Sequence, residues 1–297
     1  MRRWLLLLVL VAASGAALYY SRRHKTETRV GPEAMLNALA DTQREISRLP
    51  AGLSRLPDSE EVHFGDTMAQ NYLARIGGLP PAEAQVQDYV NLVGQTVASH
   101  RRRALDYKFH YMPDAHLVNA FALPGGHIFV GKGLMLLMAS EDELASVLAH
   151  EVEHVENFHC NERVALQARL RHIPLGGLVT LPVEIFQAGY GKEQEMEADR
   201  DGITLAFEAG YSPEGAVHLF QTLARLQPAH VNVAYSPDQE LSNVALEGIA
   251  GYFRSHPLPA EREAQVRQME RSQQWPKPPL RALRVRPEPV QRANAHP

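Results

Sequence analysis

The sequence predicts an α+β fold, mostly helical, with a small antiparallel β-sheet packed on the helix that carries His150-Glu151-Val152-Glu153-His154. Three observations lead there. Apolar residues recur at helical spacing over most of 58–100 and again from Ser140 onward. Between those blocks the period falls to that of strands, at Tyr107–Met112, Ala120–Leu123 and His127–Val130. Pro124-Gly125-Gly126 lies between the last two and predicts a hairpin.

Taken in order, Arg2 and Arg3 precede an uncharged stretch, 4–20, followed by Arg22, Arg23, His24 and Lys25. A basic start and an apolar run read as an export signal. The run is at the short edge of what spans a bilayer. The basic cluster after it favours an uncleaved anchor over a cleaved signal peptide, and no lipobox cysteine is present. Residues 1–25 are therefore expected to touch the membrane and to place the rest outside the cytoplasm, in a bacterium in the periplasm. Residues 26–57 read as a linker with one short amphipathic helix, broken by Pro50 and Pro57. Residues 58–272 hold the globular domain. Asp58-Ser59-Glu60-Glu61 opens its first helix with acids in the first turn. Gly77-Gly78 and Pro80-Pro81 separate a second helix, striped by Val86, Tyr89, Val90, Leu92, Val93 and Val97. The strands follow, then helices to Pro257. The stretch 173–188 is apolar but broken by Pro174, Gly176, Gly177 and Pro182. It reads as a packed connection or, more sharply, a flap near the cleft. Residues 273–297, rich in Pro and Arg, are expected to be disordered.

A net charge of −4 gives no reason to expect a nucleic-acid partner. The single cysteine, Cys160, allows no intramolecular disulfide and reads as a half-buried thiol. The 14 histidines invite a search for metal ligands.

Ser140-Glu141-Asp142-Glu143 is a capping box, opening a helix to about Phe158. On it, His150 and His154 are one turn apart on one face, so both rings can reach one ion. Glu151 can face that ion without binding it, the position of a general base toward an activated water. Leu144, Ala145, Val147, Leu148 and Ala149 predict that the first turn of the motif is buried. Glu153 and Glu156 read as solvent-facing acids. A zinc site needs a further protein ligand, and Glu193–Asp199 offers the acids. Glu195 and Asp199 share a helical face. Glu195 can bind the metal, and Asp199 can accept a hydrogen bond from the far nitrogen of a ligand histidine.

With Asn119–Val130, Gly133-Leu134, Glu143–His154, Glu195-x-Glu197-Ala198-Asp199-Arg200-x-Gly202, Ala209-Gly210-Tyr211-x-Pro213 and His256-Pro257-x-x-x-x-Arg262 in one order, the chain resembles the HtpX and CAAX-prenyl-protease family of gluzincin zinc metallopeptidases. It is most similar to the periplasmic BepA-like branch, without that branch's helical-repeat domain. The resemblance implies a zincin-type peptidase domain with one Zn²⁺ per chain, held by His150, His154 and Glu195. It implies Glu151 as base, Asp199 behind the ligands, and Asn119, Ala120, Phe121 and Ala122 on an edge strand that pairs with an extended substrate. Protein or peptide substrates outside the cytoplasm follow, misfolded or misassembled envelope proteins among them. For His256 three readings stand: a fourth ligand that holds the enzyme latent, on resemblance alone; a cleft-wall group facing the oxyanion; or a simple helix-start residue before Pro257. Arg262 reads as a structural ion-pair partner. A rival function is a membrane-tethered, chaperone-like binding protein whose zinc is latent or structural; an exopeptidase lacks any terminus-binding motif here.

Overall fold

A computed structural model describes residues 55–170, 181–226, 252, 256 and 259–288. The expected N-terminal anchor, the linker helix and the first half (173–180) of the apolar 173–188 stretch fall outside these residues. Among the described residues no helix is long and apolar enough to cross a membrane.

The first helix, α1 (Asp58–Arg75), starts where predicted, its first turn carrying Asp58, Glu60 and Glu61. A 3-10 turn (Pro81–Glu83) leads into α2 (Ala84–Ala98), whose Val86, Tyr89, Val90, Val93 and Val97 are buried, whereas Leu92, expected in the same stripe, lies off that face and is exposed. Three short strands follow: β1 (Lys108–Met112), β2 (Ala120–Leu123) and β3 (His127–Gly131). Helices α3 (Lys132–Leu137), α4 (Glu141–Glu156), α5 (His159–Leu170), α6 (Glu184–Gln187), α7 (Lys192–Glu208), α8 (Glu214–Arg225) and α9 (Pro259–Gln273) complete the described fold.

The sheet departs from the expected all-antiparallel one. β2 and β3 form the predicted antiparallel hairpin, but β1 pairs with β3 in parallel, giving the order β1-β3-β2. The cause is the connection at residues 113–119, long enough to cross the end of β3 and put β2 on the far side. Leu117 accepts a hydrogen bond from the Leu134 N–H (3.3 Å), and Asn119 from the Gly131 N–H (2.9 Å). Gly131 admits this crossing, since a Cβ there would lie 2.0 Å from the Leu117 carbonyl oxygen. β2 is therefore an edge strand among the described residues, and it lies against α4.

Helix α4 is the centre of the molecule. Every residue in it is buried, against β2, α2, α7 and α8. Ser140 caps it, its side chain accepting from the Glu143 N–H, while the Glu143 carboxylate accepts from the Ala139 N–H. Contrary to the expectation of solvent-facing acids, Glu153 and Glu156 are inside. Arg102 makes an ion pair with Glu153 at 2.6 Å. The Arg102 and Arg103 backbone N–H groups and the Tyr107 hydroxyl donate to Glu156. A helix buried on all sides keeps its acids only if each is paired, and these partners lie some fifty positions upstream.

Residues 274–288, expected to be disordered, instead form a strap over the start of α4. Ala282 bridges to Ser140, the Glu141 N–H donates to the Arg281 carbonyl (2.9 Å), and the Arg281 N–H donates to Asp142 (2.6 Å). Arg284 pairs with Glu141 at 2.8 Å, and Leu283 is buried. The proline content that suggested disorder serves an extended path, which needs no ladder of its own.

Candidate metal centre

Two helices build the site. α4 presents His150 and His154 from successive turns, and α7 crosses beneath with Glu195 and Asp199 one turn apart. The crossing is close because position 202 is glycine: a Cβ there would lie 2.9 Å from the backbone of His150. Four sequence-predicted residues thus come together, all buried. His150 Nε2 lies 3.1 Å from His154 Nε2 and 3.4 Å from Glu195 Oε2, and His154 Nε2 lies 3.7 Å from Glu195 Oε1. On its far side, His150 Nδ1 lies 2.9 Å from Asp199 Oδ1.

The charges follow from these contacts. Burial disfavours the Glu195 carboxylate, but His256, His150 and His154 around it hold its pKa well below the usual range. Burial likewise opposes charge on Asp199, yet the Arg262 guanidinium, with bonds of 2.7 and 2.6 Å, keeps its pKa near about 2. Burial opposes protonation of His150 too, but the two carboxylates outweigh it and push its pKa up to about 10. Burial holds His154 well below its ordinary value. Glu151, also buried, is pushed up to about 7, mainly by loss of solvent, and its carboxylate accepts from the Ala122 backbone N–H on β2.

This set fits a zinc ion. Ligands at about 2.0–2.2 Å in a tetrahedron sit about 3.3–3.6 Å from one another, close to the three separations here. With both Nδ1 atoms turned to other partners, the two Nε2 atoms face each other beside an anionic carboxylate, and both can offer lone pairs to a cation that takes the place of the His150 proton. The pair of buried carboxylates, with Arg262 covering only Asp199, leaves the pull for positive charge that a bound cation satisfies.

His256 joins the cluster. Its Nδ1 lies 2.7 Å from Glu195 Oε2, a hydrogen-bond distance, and its ring lies edge-on to His150 at 5.5 Å. Arg262, in addition to Asp199, donates to the Tyr252 hydroxyl at 2.7 Å, so it has the expected ion-pair geometry. The edge strand lies where expected, with Asn119, Ala120, Phe121 and Ala122 all buried. Asn119 Nδ2 donates to the Gln187 carbonyl at 3.3 Å, while its Oδ1 is buried with no partner among the described residues. Asn119 O bonds toward β3 and Ala122 N–H toward Glu151, so by alternation Ala120 and Ala122 face the free edge. A pocket opens beside His150 and Glu151, with Val147, Ile203 and Leu219 on its apolar walls.

Sequence reasoning missed three neighbours. Tyr190 stacks on His154 with centroids 4.1 Å apart, and its N–H donates to Glu195 at 2.8 Å. His159 Nδ1 lies 3.0 Å from His154 Nδ1. Cys160, read as half-buried, is fully buried; its Sγ lies 3.1 Å from the Tyr190 hydroxyl, and burial pushes the thiol up to about 12. The only sequence signal for these was the spacing of His159 from the motif, in a chain rich in histidine.

Several known proteases are similar to this chain. The chain is 28% identical over 201 residues to the beta-barrel assembly-enhancing protease of Yersinia pestis, covering 59% of this chain and 41% of that one. It is 26% identical over 204 residues to the metalloprotease LoiP of Escherichia coli strain K12, covering 64% and 72%. It is 31% identical over 136 residues to the mitochondrial metalloendopeptidase OMA1 of Schizosaccharomyces pombe, covering 40% and 38%. The match spans less than half the length of the beta-barrel assembly-enhancing proteases. Residues 80–270, which contain both ligand helices, match Peptidase family M48, and the chain belongs to that family.

Proposed function

We propose that this chain is a zinc-dependent endopeptidase acting on extracytoplasmic proteins, misfolded or misassembled envelope proteins among them. The observation that carries the reading is the convergence of His150, His154 and Glu195 with Glu151 beside them, at the free edge of β2. In this reading those three residues hold the zinc, and Asp199 orients His150. A zinc ion bound there supplies Lewis acidity toward a water molecule and a peptide carbonyl. Glu151 takes the proton from that water and later delivers it to the leaving amine. The substrate lies extended along β2, its backbone pairing with the free groups of Ala120. An endopeptidase needs such a track, because it must hold chain on both sides of the scissile bond. The N-terminal basic-apolar-basic segment supports attachment to the membrane from the extracytoplasmic side.

The test is digestion of an unfolded protein such as casein, with and without a chelator. Internal cleavage that a chelator stops and zinc restores supports the reading. Stable binding without cleavage, in the zinc-loaded protein, would favour the chaperone-like alternative. That alternative is weakened by the position of Glu151, since a purely structural zinc has no use for a base.

A further inference from the structure

His159 lies outside the motif yet completes a chain of contacts ending on a motif histidine. Helix α4 stops at Glu156. Phe158 then takes a left-handed φ of 62°, which turns the chain sharply into α5. The Phe158 ring is gripped between the Arg55 and Arg103 guanidiniums, each 4.0 Å from its centroid, which holds a turn that a non-glycine residue rarely makes. The corner brings His159 back to the rear of His154, with the two Nδ1 atoms 3.0 Å apart. The other ring nitrogen, Nε2, lies 3.3 Å from Glu197 Oε2 on α7.

The hydrogen positions follow from the directions. His154 Nε2 faces His150 and Glu195, so a lone pair there requires the His154 hydrogen to be on Nδ1. That hydrogen needs an acceptor, which His159 Nδ1 provides if His159 carries its own hydrogen on Nε2. Glu197 accepts the latter. The chain Glu197, His159, His154 is thus specified from end to end. His150 obtains the same orientation directly from Asp199.

We propose that His159 is a positioning residue of the metal centre: relaying from Glu197, it fixes the tautomer and ring angle with which His154 meets zinc. Each ligand histidine is then backed by an acid of α7, one directly and one through a second imidazole. The inference rests on reading His150, His154 and Glu195 as the zinc ligands. Such backing groups typically account for 10–100-fold in metal affinity.

The experiment measures zinc affinity by competition with a chromophoric chelator, on the full chain stripped of metal, together with melting curves of the metal-free and zinc-loaded forms. His159→Ala is expected to weaken zinc about 10–100-fold and to shrink the zinc-induced rise in melting temperature. His159→Gln keeps an acceptor toward His154 and a donor toward Glu197, and is expected to recover most of the affinity. Glu197→Ala, at a half-exposed carboxylate whose loss the fold tolerates, is expected to weaken zinc severalfold. Unchanged affinity in His159→Ala, or in Glu197→Ala should the former fail to fold, would overturn the proposal. So would equal losses in His159→Ala and His159→Gln with a parallel fall in metal-free melting temperature, since packing alone explains those. A wild-type chain that binds no zinc would overturn the ligand assignment itself, and the positioning role with it.

Discussion

Gly202 is where the two ligand helices touch, and Gly202→Ala shows how far the site depends on that contact. A Cβ at this position would lie 2.9 Å from the His150 Cα and N and 3.0 Å from the Ala149 carbonyl carbon. Carbon contacts are comfortable at about 3.5–4.0 Å, so α7 and α4 must part by roughly 0.5–1 Å. Two effects compete. Alanine favours a helix over glycine by about 1 kcal/mol, whereas overpacking costs about 1–3 kcal/mol. Here backbone meets backbone, and no side chain can rotate out of the way, so the clash outweighs the propensity. The net expectation is a loss of about 1–2 kcal/mol in stability. The effect on the site is larger. The His150 contacts to Asp199 at 2.9 Å and Glu195 at 3.4 Å both cross the same interface, and parting the helices stretches both. Displacement approaching 1 Å at a reacting centre costs on the order of 100-fold in rate, and the same stretch of the ligand geometry should weaken zinc binding. Urea unfolding of the metal-free protein and zinc competition on the same sample read the two effects. A variant more stable by about 1 kcal/mol, as propensity alone dictates, with unchanged zinc affinity would refute the reasoning.

Other substitutions probe the same structure. Arg262→Met leaves the buried Asp199 carboxylate with His150 but without its guanidinium, and should lower the unfolding free energy by about 3 kcal/mol. Adding Asp199→Asn should restore part of that loss, while strictly additive losses in urea would deny the coupling. A chain ending at residue 273 loses the Arg281 bonds to Asp142 and Glu141 and the burial of Leu283. At about 1 kcal/mol per hydrogen bond and 1.5–3 for the leucine, it should be less stable by about 3–5 kcal/mol; equal urea midpoints would show the strap idle. Burial, with His127 and Lys108 close by, depresses His110 from 6.5 to about 4. The unfolded chain therefore binds the extra proton first, and stability should fall by about 2 kcal/mol as pH drops from 6.5 to 4. Asp66, itself depressed, acts below that window. His110→Gln should flatten this limb, and an unchanged limb would assign it elsewhere. Last, His256→Ala separates two roles: higher peptidase activity marks a latency ligand, lower activity an oxyanion group.

Much of the site was legible because its signals are local. Ser140 caps, the next turns are apolar, and His150, Glu151 and His154 recur at helical spacing; Glu195 and Asp199 do likewise on α7. What escaped depends on residues distant in sequence. Glu153 and Glu156 have the composition of a solvated face, and only Arg102, Arg103 and Tyr107 reveal them as interior acids. The order of the strands could not be read, because three strand patterns do not say which one lies between the others; the 113–119 crossing and Gly131 decide it. Residues 274–288 lack any periodic pattern because their partners are the backbone N–H and carboxylate groups at the start of α4, which they cover. His159 was hidden by Phe158, whose turn carries no glycine to mark it.

The central claim is that Glu151 acts on water while His150, His154 and Glu195 hold the metal. Glu151→Gln tests it most directly, with hydrolysis of a casein-type substrate measured on protein whose zinc content is determined in the same sample. One zinc per chain is expected, with hydrolysis lower by at least about 100-fold. A variant that keeps its zinc and cleaves at the wild-type rate would contradict it.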